Sequence, residues 1–240
     1  EPPPGRSEGG SHRSAKHGGC RLTPQPLRLH SLGEAALLCE LPAPATLVQQ
    51  QRIWALAAEA MQWRGVQEVL PGMNNLSLLF DPAQIDVVEL EMQVLSAWPQ
   101  LAAAGIQGRQ VEIPVAYGGE SGPDLAEVAR HTGLSPAEVV KRHSAGHYVV
   151  YLLGFLPGFA FMGGLPPELA TPRRKEPRLA VPARSVGIGG EQTGIYPLVS
   201  PGGWQLIGRT SLEMFDPGAA EPTLLRPGDQ VRFVVESMEA

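Results

Sequence analysis

Glycine and proline set the tightest limit on what this chain can fold into. From residue 106 onward, 33 of 135 residues are Gly or Pro. Long helices do not survive such punctuation, because Gly costs backbone entropy and Pro removes a donor and clashes with the preceding turn. The apolar pieces left between them are strand-sized: Tyr148 to Phe155, Leu179 to Val181, Ser185 to Ile188, Thr193 to Leu198, Trp204 to Arg209 and Gln230 to Val235. With a strand at Gln110 to Ala116, they predict a closed β-barrel, the arrangement that removes exposed edges. Two helices interrupt the strands. One follows Pro123 and spans Asp124 to His131; the other starts at Ser135, with Pro136 in its first turn and Glu138 as capping partner, and runs to about Ser144.

Residues 27 to 105 differ. Only 9 of these 79 residues are Gly or Pro, and three basic residues face eight acidic ones. Glu34 to Leu41 reads as a strand. Thr46 with Gln49 opens a helix whose apolar stripe is Ile53, Leu56, Ala57 and Ala60. Val66 to Leu70 and Leu76 to Phe80 are strands joined by a Pro-Gly-Met-Asn-Asn turn. Asp86 and Glu89 open a second helix with Leu90, Val94, Ala97 or Trp98, and Leu101 on one face, ended or kinked by Pro99. The expectation is a disordered tail at 1–26, a small α+β domain at 27–105 and a barrel domain at 106–240. His12, His17 and Cys20 fall in the tail and read as tail residues rather than metal ligands.

Several function classes drop out. Two cysteines, Cys20 and Cys39, make one bridge at most, so a disulfide scaffold is excluded and a reducing compartment is the natural reading. No apolar run reaches the roughly 18 residues that cross a bilayer, and no secretory signal pattern opens the chain. A formal net charge of -5 argues against general nucleic-acid binding. His143 and His147 stand four apart with no Glu between them, so this is not the zinc-protease pattern. A Gly-x-Ser-x-Gly nucleophile elbow is missing as well.

Four turn-rich segments could carry chemistry. Tyr117 to Asp124 (YGGESGPD) frees backbone N–H groups before a helix, as an anion site would, although a tight turn capped by Asp124 explains it too. Gly154 to Gly164 (GFLPGFAFMGG) offers an apolar ligand wall or plain barrel core. Thr171 to Arg178 (TPRRKEPR), followed by Arg184, sets five cations within twelve positions. That suits a carboxylate or phosphate, or simply makes a solvated loop. Gly187 to Trp204 places Gln192, Thr193, Tyr196 and Ser200 among glycines, as amide recognition or hairpin turns would. His143, near a helix end, reads as a cation on the helix dipole or as a base.

In order, the segments "YGGESGPDL", "GLSPAEVVKRHSAGHYVVYLLGFLPGFAFMGGL", "TPRRKEPRLAVPARSVGIGGEQTGIYPLVSPGGWQLIGRT" and "LLRPGDQVRF" resemble the B subunit of bacterial 5-oxoprolinase, a family also labelled allophanate hydrolase subunit 1. The resemblance runs over roughly residues 27 to 237 and is strongest from 113 on. It implies an α+β N-terminal domain followed by a mainly-β, cyclophilin-like barrel domain. It implies a cytoplasmic hydrolase subunit, inactive alone, whose partners are the 5-oxoprolinase C subunit, itself a related barrel protein, and the A subunit. Together they open 5-oxo-L-proline to L-glutamate with ATP, expected with Mg2+, and no residue of this chain is named as a metal ligand. No membrane or nucleic acid is expected among the partners. The same resemblance leaves two alternatives: a carboxyltransferase component as in urea carboxylase, and an inhibitor of a sporulation-type histidine kinase.

ATP-driven lactam opening needs anion clamps and placed hydrogen bonds more than a protein nucleophile. On that logic Arg173, Arg178 and Arg209 are expected to hold phosphate or carboxylate, and Gln192, Thr193 and Tyr196 to orient the lactam. His143 and Asp124 are the acid/base candidates. Gly118, Gly119, Gly158, Gly163 and Gly164 are the candidate nucleotide-binding glycines. Arg184 stands where the family usually has Gly, and is expected as a long cation beside the pocket.

Overall fold

The computed structural model describes residues 27–103 and 108–239. The tail at 1–26, with His12, His17 and Cys20, and the domain boundary near residue 105 lie outside the described residues. No helix among the described residues is long and apolar enough to cross a membrane.

The first unit is a four-stranded antiparallel sheet with two helices. Its elements are β1 (Arg28–Leu32), β2 (Ala36–Glu40), α1 (Leu47–Ala60), β3 (Val66–Pro71), β4 (Asn75–Phe80) and α2 (Val87–Ala97), with sheet order β1-β2-β4-β3. β1 is a strand that the residue pattern did not announce. It is an edge strand whose residues are mostly exposed, so no alternation marks it. β4 alternates cleanly, with Leu76, Leu78 and Phe80 turned to the core. The α1 stripe Ile53, Leu56, Ala57 and Ala60 and the α2 stripe Leu90, Val94 and Ala97 complete the same core. Fully burying each large side chain there contributes about 1.5–3 kcal/mol. Thr46 caps α1 through a reciprocal bond with Gln49, and Asp86 accepts the Glu89 N–H at 2.8 Å. Cys39 is buried and free, and burial, then the nearby Glu91 charge, push its thiol up to about 12.

The second unit holds β5 (Gln110–Tyr117), α3 (Leu125–Thr132), α4 (Pro136–Ala145), β6 (Tyr148–Leu153), β7 (Ala160–Gly163), β8 (Arg178–Val181), β9 (Ser185–Gly189), β10 (Gln192–Ile195), β11 (Ser200–Gly202), β12 (Gln205–Arg209) and β13 (Gln230–Met238). Seven of the strands close a barrel in the order β10-β7-β6-β13-β5-β12-β9. Two strands expected in or near that barrel behave otherwise. β8 lies outside it, paired with β11 in a two-stranded ribbon. The expected strand from Tyr148 to Phe155 stops at Leu153, because the chain turns through a left-handed Phe155 (φ 68°) and returns as β7. β13 outruns its expected end because it pairs in parallel with the whole of β5.

α3 ends at Gly133, whose φ of 71° lies in the left-handed region that glycine tolerates. α4 starts as the residues foretold, with Ser135 accepting the Glu138 N–H and Pro136 in the first turn. Both helices press Val128, Ala129, Val139 and Val140 onto the barrel core, which includes Ile113, Tyr117, Tyr148, Val150, Met162, Ile195 and Phe233.

Candidate functional site

A cavity of about 680 Å3 opens where the two units meet. The first unit contributes Ala45 and Met73. The barrel contributes Tyr151 of β6, Gly163 at the end of β7 and Gly164 after it, Leu165, Pro167, Ala170, Arg173, and Gly189 to Gln192, where β9 turns into β10. Of the residues expected at the site, the fold brings together Arg173, Gln192, Gly163 and Gly164.

Arg173 is the cation of this cavity. It makes no ion pair or side-chain hydrogen bond among the described residues, and its Cζ lies 5.9 Å from the Trp204 ring centroid. The neighbouring cations are tied down instead. Arg174 Nη1 donates to Asp124 Oδ1 at 3.0 Å, and Arg178 makes a bidentate pair with both Asp124 oxygens at 2.8 Å. The Arg174 N–H also donates to the Gly203 carbonyl at 2.7 Å. The basic loop is thus anchored on either side of Lys175 and presents Arg173 unpaired.

This geometry corrects the reading of Asp124. Its carboxylate does not cap α3, which has no side-chain cap bond there. It is buried, takes both guanidiniums and accepts the Leu206 N–H at 2.7 Å, so every lone pair has a donor. It is an anchor with no oxygen left for proton transfer. Arg178, expected on substrate, is consumed by the same anchor.

His143 is corrected in the same way. It is completely buried in the barrel interior, and burial pushes it down to about 3, so it is neither a cation on the helix dipole nor exposed to a substrate. Thr193 Oγ1 donates to the Gly187 carbonyl at 3.0 Å, so it accepts from His143 Nε2 at 3.0 Å. Nδ1 is therefore the acceptor for the Tyr117 hydroxyl at 2.8 Å. The network assigns the neutral Nε2–H tautomer and occupies Thr193 along with the imidazole.

The remaining candidates take structural places. Tyr196 is buried in a cluster with Phe159 and Trp204. Arg209 Nε donates to the Ala183 carbonyl at 3.1 Å, away from the cavity. Arg184 does not line the cavity either. It sits in a turn at φ 70°, a left-handed conformation that glycine adopts more readily than arginine. Gly118 and Gly119 are not an anion cradle: the Gly118 N–H donates to the Ile207 carbonyl at 3.1 Å, and a Cβ at either position would collide with Glu239. Gly158 is small for Met214 and Phe215. Among the described residues no group of three His, Cys, Asp or Glu side chains could hold a metal.

Tyr151, Glu191 and Met73 line the cavity without having been expected there. A turn next to Gln192 could have pointed to Glu191. Nothing in the sequence pointed to Met73, which arrives from a separate unit, or to Tyr151, whose place depends on a strand irregularity.

The model of the carboxyltransferase domain, subdomains C and D, matches residues 27–225. The B subunit of 5-oxoprolinase from Escherichia coli O157:H7 is 52% identical over 88% of this chain and 96% of its own length. The chain belongs to the family of 5-oxoprolinase B subunits. A second member of that family, from Haemophilus influenzae, is 48% identical over 87% of the chain and 97% of its own length. Among solved structures, TTHA0988 is 39% identical with a TM-score of 0.73, covering 84% of this chain. This chain spans only 40% of TTHA0988, so the fold of the 5-oxoprolinase B-subunit family occurs there within a longer protein.

Proposed function

We propose that this chain is the B subunit of an ATP-dependent 5-oxoprolinase that opens 5-oxo-L-proline to L-glutamate together with the A and C subunits. Family membership supports the reading, and one observation in the molecule carries it: a single unpaired guanidinium, Arg173, facing a cavity that also holds the Gln192 amide. 5-Oxoproline is a small molecule with one carboxylate and one lactam. Arg173 takes the carboxylate bidentately, and the Gln192 carboxamide oxygen accepts from the lactam N–H.

When bound, ATP supplies the activation: its γ-phosphoryl group passes to the lactam oxygen with ADP leaving, one water then opens the C–N bond, and a second releases phosphate. Of the five glycines expected to meet the nucleotide, only Gly163 and Gly164 face the cavity. The remaining nucleotide contacts, and those of the Mg2+ that accompanies it, belong in this reading to the partner subunits. In this reading the chain alone is inactive and works in the cytoplasm.

The test is reconstitution with the A and C subunits, 5-oxoproline and Mg-ATP, with glutamate release as the readout. Glutamate should form only when this chain is present. Arg173→Ala should raise the KM for 5-oxoproline about 10- to 100-fold, the worth of one charged hydrogen-bonded contact. Unchanged kinetics in that variant would remove Arg173 from the site. Turnover that depends on biotin instead of ATP would favour a carboxyltransferase.

A further inference from the structure

Tyr151 is the point at which the two units and the cavity share one residue. The β6–β7 register slips between Val150 and Leu152, so Tyr151 is the extra residue of a β-bulge. A bulged residue leaves the regular ladder, and the Tyr151 carbonyl is held by the first unit instead. It accepts the Trp54 Nε1–H at 2.9 Å and a Gln50 Nε2–H at 3.4 Å. Gln50 also donates to the Gly72 carbonyl at 3.0 Å and accepts the Asn74 N–H at 2.9 Å, so the same amide fixes the turn that carries Met73 to the cavity. The Trp54 indole meets the Tyr151 ring edge-on at 6.4 Å.

The other end of Tyr151 lines the cavity. Its ring lies on Gly163, where an added Cβ would stand 2.7 Å from the hydroxyl oxygen, so glycine is required for the phenol to lie there. The hydroxyl makes no hydrogen bond among the described residues, although the Tyr117 and Tyr148 hydroxyls in the barrel interior each have a partner. Burial raises the Tyr151 pKa, which keeps the phenol protonated and therefore a donor.

We infer that the Tyr151 hydroxyl donates a hydrogen bond to the lactam carbonyl oxygen of the substrate, and that Gln50 and Trp54 are positioning residues that hold it there. This rests on the function proposed above. The cavity's guanidinium, Arg173, suits the carboxylate and the Gln192 carboxamide oxygen suits the lactam N–H, which leaves the Tyr151 hydroxyl as the donor for the lactam carbonyl. Held through one lone pair, that oxygen keeps the other aimed at the γ-phosphoryl group, so the donor acts by orienting the attacking atom for the chemical step.

The experiment uses the reconstituted complex with 5-oxoproline and Mg-ATP. Tyr151→Phe keeps the ring on Gly163 and removes only the O–H. It should lower kcat by about 100-fold, the order of loss that a misplaced reacting atom causes, while KM changes by less than about threefold. Gln50→Leu should lower kcat by a smaller factor, and in the Tyr151→Phe background it should cost nothing further, since it acts through the lost hydroxyl. Wild-type kcat in Tyr151→Phe, with complex assembly verified by gel filtration, overturns the proposal. A rise confined to KM overturns the assignment to the carbonyl. Losses that multiply in the double variant overturn the positioning role. A wild-type complex that releases no glutamate defeats the functional reading itself and this inference with it, a result visible before any variant is made.

Discussion

His143 shows what a single residue type can and cannot announce. On paper it is a histidine near a helix end, suited to be a base or a dipole cation. In the barrel it is a neutral hydrogen-bonded core residue between Tyr117 and Thr193. The consequence is a pH dependence of stability rather than of catalysis. Its folded pKa of about 3 lies below the unfolded value of about 6.5. A group lowered on folding stabilises fully above its unfolded pKa, and that stability is lost as pH falls toward the folded one. Between pH 6.5 and 3, then, unfolding becomes easier by up to about 1.4 kcal/mol per pH unit from this residue alone. Urea denaturation at about pH 7 and about pH 5 should show the loss. A His143→Gln variant, less stable at neutral pH, should show a distinctly shallower slope over the same interval. Equal slopes would contradict the buried neutral assignment.

At the scale of the element, the basic loop from Thr171 to Arg178 behaves as a part held from beneath. Pro-Arg pairs in sequence suggest stiffness, but the stiffness comes from Asp124 at the start of α3, which takes Arg174 and Arg178 together. Asp124→Asn keeps the shape and removes the charge, leaving two guanidiniums without their counter-ion. The expected loss is about 2 kcal/mol, below the usual range for a fully buried pair because both arginines are partly exposed. The urea midpoint measures it. The same variant should raise the KM for 5-oxoproline, because Arg173 is presented by the loop that Asp124 anchors. A stability loss with no change in KM would separate the anchor from the site. Elements with a regular apolar period were legible beforehand: α1, α2, α4 and β4 lie close to where their stripes and caps put them. β1, the β8–β11 ribbon and the β6 bulge were not, since an exposed edge, a strand outside the barrel and a register slip leave the local pattern of apolar residues unchanged.

At the scale of the whole molecule, two hydrophobic cores are joined through α1 and β6, and the cavity lies along that joint. Trp54→Phe removes the indole N–H that reaches the Tyr151 carbonyl while keeping an aromatic ring at the contact. It should cost about 1 kcal/mol, one net hydrogen bond with a buried acceptor left short. A urea midpoint unchanged from wild type would show that the joint does not stabilise the chain. The amino-acid order by itself determined the barrel, the caps of α1, α2 and α4, the apolar stripes and the family, because each is written in local spacing or in an ordered set of motifs. It also singled out, by residue type, Arg173 and Gln192, which line the cavity. Which arginine stayed free, that Asp124 and His143 were already fully bonded, and that Tyr151 and Met73 would share the cavity were decided only by the tertiary structure. Those outcomes depend on partners 26 to 97 positions away in the chain: Tyr117 and Thr193 for His143, Arg178 for Asp124 and Trp54 for Tyr151. Hydrogen bonds over such separations form only when folding brings the segments together, so neither composition nor periodicity carries them.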